Sequence, residues 1–267
     1  MIPLKISLIQ SSLHWEDPKA NCQALAQKIN QLKSTDLIIL PEMFTTGFSM
    51  ASTKLSEKMD GSSVHWMRSM AAKSDAVICG SLIIKEASRY YNRLIWMRPD
   101  GSYDHYDKRH LFRMADEDQH FSSGQKKLIV ELKGWKICPL ICYDLRFPVW
   151  SRNTFNTDRK TYSHPAYDLL IYVANWPAPR ATAWSKLLLA RAIENQVYVA
   201  GVNRIGKDGN DVGYIGGSVI VDAKGEAIWE AGEGTEEAIT LEINKESLNA
   251  FRKKFPLGMD ADNFRLG

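Results

Sequence analysis

The chain has 267 residues, 45% hydrophobic and 24% charged, which is enough apolar material for one large α/β core or two small ones. Its formal net charge of +3 is spread along the sequence, with no basic tail or stripe to suit nucleic acid or an acidic membrane. No apolar run approaches a membrane span, and MIPLKISLIQSSLHWEDPK meets polar residues too early for a signal peptide. The four cysteines (Cys22, Cys79, Cys138, Cys142) make no CxxC pair, so reduced thiols in a soluble cytoplasmic protein are expected.

In chain order, LKISLIQ (4–10) reads as a strand and NCQALAQKINQLK (21–33) as a helix with Leu25, Ile29 and Leu32 on one face. DLIILPE (36–42) is a strand stopped by Pro41, VHWMRSMAAKS (64–74) a helix, and AVICGSLII (76–84) a third strand. Residues 90–108 read as a hairpin turning at Pro99-Asp100-Gly101. Two strands around Gly134 follow in KLIVELKGWKICPLICYD (127–144), then a strand in YDLLIYVANWP (167–177). A helix in WSKLLLARAIENQ (184–196), a strand in VYVAGVN (197–203) and a hairpin over 216–232 complete the pattern. The alternation of strands and helices, with no linker between the halves, predicts two sheets in one domain with helices on the outer faces.

Strands buried on both faces read as unbroken apolar runs, and chemistry in such folds gathers past their carboxyl ends. Three ends here carry useful side chains: Glu42 after DLIILP, Lys108 after SYDHYD, and Cys142 within CPLICYD. A carboxylate, an ammonium and a thiol make a kit for covalent catalysis, with a base, an electrostatic stabiliser and a nucleophile. Singly, each has a plainer reading as a turn residue, a surface lysine or a core cysteine, and Cys138 reads as the last of these.

The blocks LPEMFTTGF (40–48), YDKRHLF (106–112), ICYDLRFP (141–148), YVANWPAPR (172–180), LARAIENQVYVAGVNR (189–204) and KFPLGMDADNFRL (254–266) span nearly the whole chain. Together they resemble the nitrilase superfamily of carbon–nitrogen hydrolases, most closely its ω-amidase branch with the bacterial YafV-like proteins. The resemblance implies a four-layer α-β-β-α sandwich over residues 1–267 and a homodimer, and the atypical tail (about 250–267) is itself read as packing on a neighbour or at a subunit interface. It implies a Glu–Lys–Cys set falling on Glu42, Lys108 and Cys142, with a further glutamate at Glu117. Cys142 is then expected at a sharp strand-to-helix turn with its thiol exposed and its pKa lowered from ~8.5 by Lys108. The Tyr143 N–H and the Lys108 ammonium would hold the oxyanion, and Glu42 would move the proton.

The activity implied is cofactor-free hydrolysis of the terminal amide of a short ω-monoamide of a dicarboxylic acid, such as 2-oxoglutaramate or 2-oxosuccinamate. A glutamine or asparagine transaminase is then a pathway neighbour. A distant carboxylate calls for an arginine, with Arg146 the leading candidate, a salt bridge to Asp144 its structural alternative, and Arg113 and Arg180 behind it. Phe44, Phe48, Tyr143 and Trp176 are candidate pocket walls, and the polar stretch TFNTDRKTYSHPA (154–166) is either a lid or rim decoration. His14, His65, His105, His110, His120 and His164 form no metal-ligand pattern, and GYIGGS (213–218) is not a dinucleotide motif. Rival readings are an N-carbamoyl-amine or N-carbamoyl-amino-acid hydrolase, a non-catalytic metabolite-binding member and a redox-sensing thiol.

Overall fold

Runs of aliphatic residues become paired strands, and the computed structural model describes them across residues 3–155 and 165–262. In chain order the strands are β1 (Leu4–Gln10), β2 (Leu37–Ile39), β3 (Val77–Glu86), β4 (Arg89–Met97), β5 (Tyr103–Asp107), β6 (Val130–Leu132) and β7 (Trp135–Ile141). They continue as β8 (Leu169–Ala174), β9 (Tyr198–Asn203), β10 (Ile205–Lys207), β11 (Gly213–Ile215), β12 (Val219–Val221), β13 (Ala227–Glu230) and β14 (Glu237–Ile243). The helices are α1 (Pro18–Gln31), α2 (Ser52–Leu55), α3 (Ser62–Ser74), α4 (Glu117–His120), α5 (Pro148–Ser151), α6 (Ala181–Asn195) and α7 (Lys245–Lys254).

One sheet has the order β14-β1-β2-β3-β4-β5 and the other β13-β12-β9-β8-β7-β6, with β1-β2-β3 and β7-β8-β9 parallel at their centres. Side-chain alternation separates two apolar layers. Leu37 and Ile39 of β2 face the second sheet in a core shared with Ile137 and Trp135, while Ile38 between them faces Leu25, Ile29, Val64 and Met67 of α1 and α3. On the other side, Trp184 and Leu188 of α6 lie over β9, where a Cβ on Gly201 would come within 2.7 Å of Leu188. The expected α-β-β-α sandwich is the observed fold. No helix of the described residues is long and apolar enough to cross a membrane.

Several boundaries move for physical reasons. Helix α1 starts at Pro18, three residues before the expected Asn21, because Asp17 caps it by accepting from the Ala20 N–H at 3.0 Å. Strand β2 is shorter than expected because Pro41 has no N–H to continue the ladder. Strand β14 and the β10–β11 hairpin lie in segments given no element above: β14 alternates polar and apolar residues weakly and draws its order from antiparallel pairing with β1. The described part of the tail is anchored to its own chain. There Arg252 pairs with Asp168 at 2.7 Å and donates to the Gln196 carbonyl at 2.8 Å, and Gln196 in turn donates to the Phe255 carbonyl. Residues 263–267 lie outside the described residues, as do 156–164 of the polar stretch; its base is fixed by Asn153, which accepts from Tyr167 N and donates to Asn195.

Candidate active site

Glu42, Lys108 and Cys142 each follow the end of a strand, and Glu117 opens α4. Lys108 directly follows β5: its N–H donates to the Asn92 carbonyl at 3.0 Å, and its own carbonyl accepts from Gly124 N at 2.9 Å. Gly124 has no room for a side chain, since a Cβ there would lie 2.0 Å from the Asp107 carbonyl oxygen. Cys142 directly follows β7 and opens a tight helical turn through Arg146, with φ of +42°. Such a backbone costs a non-glycine residue on the order of 1–3 kcal/mol and needs its surroundings to hold it. Asp144 does so: its Oδ2 accepts from Ile141 N at 3.1 Å and from Tyr106 Oη at 2.7 Å, while its Oδ1 accepts from His110 N at 3.0 Å. Met43, after Glu42, has the same positive φ and is fixed by its N–H to Ser81 Oγ at 2.8 Å.

These turns bring Glu42, Lys108, Glu117 and Cys142 together. Lys108 Nζ lies 2.9 Å from Glu42 Oε1 and 2.9 Å from Glu117 Oε2, and all three side chains are sealed from solvent. Glu42 Oε1 also accepts from Asn92 Nδ2 at 2.7 Å, and its Oε2 accepts from Asn175 N at 2.8 Å. Glu117 Oε2 accepts from Phe112 N at 2.6 Å. Burial by itself drives the Lys108 pKa down, but the charges of Glu117 and Glu42 outweigh it and hold the ammonium protonated, with its pKa raised. Burial raises the pKa of Glu117, Lys108 opposes the rise, and Glu42 adds to it. For Cys142 the expected lowering is reversed. Burial first, and then the Glu42 charge, lift the thiol well above its ordinary value, and Lys108 does not compensate. The thiol is also less open than expected, at 8% exposure, with Sγ 3.8 Å from the Asn175 carbonyl oxygen.

Cys142 and Lys108 line a cleft of 350 Å³, a size for a small metabolite rather than a polymer. Phe48, Tyr143, Arg146 and Trp176 line it as expected, and Arg180 does too. The Lys108 ammonium sits 5.1 Å over the Phe48 ring, and the Arg146 guanidinium 5.0 Å over the Trp176 ring. Phe44 is a correction. It is fully buried in the layer beneath α3, with its ring 5.6 Å from that of Trp66, and it does not reach the cleft. Its N–H donates to the Ser81 carbonyl at 3.2 Å, and its ring lies against Gly80. Arg113 also points elsewhere, pairing with Asp118 at 3.1 Å on the surface. The Asp144 alternative for Arg146 fails because Asp144 is taken by Tyr106, Ile141 and His110.

Sequence reasoning missed Asn92, Asn175 and Tyr106, and gave Asp144 a pairing with Arg146 rather than its place under the Cys142 turn. A polar residue inside the apolar strand YYNRLIWM, and another at the end of YVAN, were the available signals. Both asparagines turn their NH2 groups to Glu42, one to its carboxylate and one to its carbonyl, and leave Oδ1 buried without a partner among the described residues. Tyr106 ties two of the three turns together: its hydroxyl donates to Asp144 and accepts from Arg109 N at 3.1 Å and Trp150 Nε1 at 2.9 Å.

Comparison with known proteins agrees with this geometry. The family model described as carbon-nitrogen hydrolase matches residues 5–253. The chain is 46% identical to the omega-amidase YafV of Escherichia coli K12 over 98% of both chains, and 32% identical to a 2-oxoglutaramate amidase of Bacillus subtilis over 94% of this chain and 95% of the other. It is similar along its full length, at 44% identity and a TM-score of 0.96, to a CN-hydrolase superfamily protein of Xanthomonas campestris. The structure of that protein holds an arsenic adduct in the active site; the alignment covers all of both chains.

Proposed function

Because the chain belongs to the carbon–nitrogen hydrolase family, we propose that it is an amidase removing the terminal amide of a short ω-monoamide of a dicarboxylic acid, of the 2-oxoglutaramate or 2-oxosuccinamate class. The observation that carries the reading is one buried ammonium, Lys108, held between Glu42 and Glu117 and beside a thiol that opens a strained turn.

In the mechanism we infer, Cys142 Sγ attacks the amide carbon as Glu42 takes the thiol proton. With its pKa raised, the thiol rests protonated, so deprotonation accompanies attack and a nearby base is required. The oxyanion is met by the Lys108 ammonium and the Tyr143 N–H, a donor in the first turn of the helical segment that Cys142 opens. Glu42 returns the proton to the nitrogen, the C–N bond breaks, and ammonia departs from a thioester. Water then gives its proton to Glu42 and its oxygen to the acyl carbon, the C–S bond breaks as Glu42 returns that proton to sulfur, and the free acid departs. Glu117 keeps Lys108 in place. Arg146, held on Trp176, takes the distant carboxylate, with Phe48 as an apolar wall.

The reading extends to a cytoplasmic homodimer of one hydrolase domain, fed by a glutamine or asparagine transaminase and needing no cofactor. Support for the dimer comes from Val149 on α5 and Ile193 on α6, large apolar side chains left half exposed. The test is ammonia release from 2-oxoglutaramate, succinamate, glutamine, an N-carbamoyl amino acid and a nitrile, with Cys142→Ala as the blank. Turnover of the first two by the wild type, and none by the folded variant, is expected. Turnover of the carbamoyl compound alone moves the enzyme to another branch, and normal turnover by Cys142→Ala ends the covalent mechanism.

A further inference from the structure

The cleft carries a second guanidinium that the mechanism leaves unused. Arg180 lies in it, half buried, with its Cζ 5.3 Å over the Phe112 ring and its Nη2 2.8 Å from Met114 Sδ. Its backbone is fixed as well: its carbonyl accepts from Trp176 Nε1 at 2.8 Å, and the face of that same indole carries Arg146. Phe112, the platform under Arg180, is itself tied by its N–H to Glu117 Oε2. Two planar cations therefore line one cleft on a shared frame, Trp176 and its contact to the Arg180 carbonyl. Among the described residues neither has a carboxylate partner. The two acidic residues lining the cleft are Asp208 and Asp116. Asp208 is occupied by Asn210 N, Val212 N and Tyr214 Oη.

One guanidinium fills two of a carboxylate's four lone-pair positions through parallel N–H bonds, and an acceptor on the adjacent carbon gives a second guanidinium a partner of its own. A 2-oxo acid supplies one, because its keto oxygen lies on the carbon next to the carboxylate. A methylene at that carbon offers nothing to the second cation, and an α-ammonium brings a like charge against it. Resting on the ω-monoamide reading above, we propose that Arg180 takes the 2-oxo oxygen, so that the two arginines together select 2-oxo monoamides over their deoxo and amino counterparts.

The test compares kcat/KM for 2-oxoglutaramate with that for glutaramate, the same chain with a methylene at C2, in the wild type, Arg180→Gln and Arg146→Gln. A hydrogen bond to a charged donor corresponds to a preference of ~10- to 100-fold. The wild type is expected to show a ratio of that size, expressed mainly in KM. Arg180→Gln should bring the ratio close to one, whereas Arg146→Gln should weaken both substrates together; thermal melts check that each variant is folded. A ratio that Arg180→Gln leaves unmoved, with both monoamides turned over, overturns the role of Arg180 alone. A folded wild type inert toward both overturns the ω-monoamide reading as well.

Discussion

Replacing Glu42 by glutamine separates the two jobs given to this carboxylate, because the thiol and the turnover should respond in opposite directions. Glutamine keeps the shape but retains one acceptor oxygen. If that oxygen stays toward Lys108 and Asn92, the new NH2 group faces Asn175 N–H, and a buried donor loses its acceptor. That loss costs about 1–3 kcal/mol, and one charge-assisted contact to Lys108 about as much. Lys108 still has both oxygens of Glu117, and repulsion between the two glutamates is relieved. The variant should therefore fold with a loss of roughly 2–4 kcal/mol, a fall in Tm on the order of 10 °C for a chain of this size. Removing a base that serves both half-reactions should lower kcat by about 10³-fold or more. The Glu42 charge is also among the causes that raise the thiol pKa, so at fixed pH iodoacetamide should alkylate Cys142 faster in the variant than in the wild type. Turnover within tenfold of wild type would refute Glu42 as the base. Alkylation slowed in step with turnover would refute the protonated resting thiol and point to an ion pair formed before substrate arrives.

Tyr106→Phe removes one hydroxyl that donates to Asp144 and accepts from Arg109 N and Trp150 Nε1, so chemical denaturation should show a loss of about 3–5 kcal/mol, with kcat falling less than in the Glu42 variant. Glu117→Gln should lower kcat by ~10²-fold with little change in KM, because Lys108 loses its second anion while the cleft walls are untouched; a change confined to KM in steady-state assays would contradict this. Stability should also fall on the alkaline side. Burial raises the pKa of Cys138 to about 12 and lifts those of Cys79 and Cys142 well above their ordinary value, all above the ~8.5 of the unfolded chain. Their contribution is fully present below pH ~8.5 and lost as pH rises, by about 1.4 kcal/mol per thiol at one unit above it, which denaturant titrations between pH 7.5 and 9.5 would measure.

The residues proposed to carry the chemistry were legible because each strand announces its end. In LIILPE and PLICYD the apolar run stops at a polar residue, and the parallel centre of each sheet makes that stop a site. The helices α1, α3 and α6 were legible from one apolar face each. What escaped is set by contacts distant in sequence. Strand β14 depends on lying beside β1, from which it is separated by over two hundred residues. Phe44 and Phe48 look equivalent in LPEMFTTGF, yet Phe44 packs under Gly80 and Trp66 while Phe48 turns to Lys108. Asn92 sits in the middle of a strand, and only the fold shows that its amide spans Glu42 and Glu117.

The thiol pKa shows why such contacts decide function. From sequence, a cation beside a cysteine argues for a thiolate. In the fold that cation is claimed by two carboxylates, and the charge acting most strongly on the thiol is the negative one of Glu42. A thiolate in place beforehand would make Glu42 dispensable for the first step, whereas a protonated thiol ties attack to proton transfer and makes the same carboxylate the natural donor to the leaving nitrogen. Asparagine suits positions 92 and 175 for the same reason: its amide supplies donors to Glu42 without a further charge, and an aspartate at 92 would set a third anion against Lys108's two. On the mechanism proposed, the balance around Lys108 sets both the resting state of the nucleophile and the path of its proton.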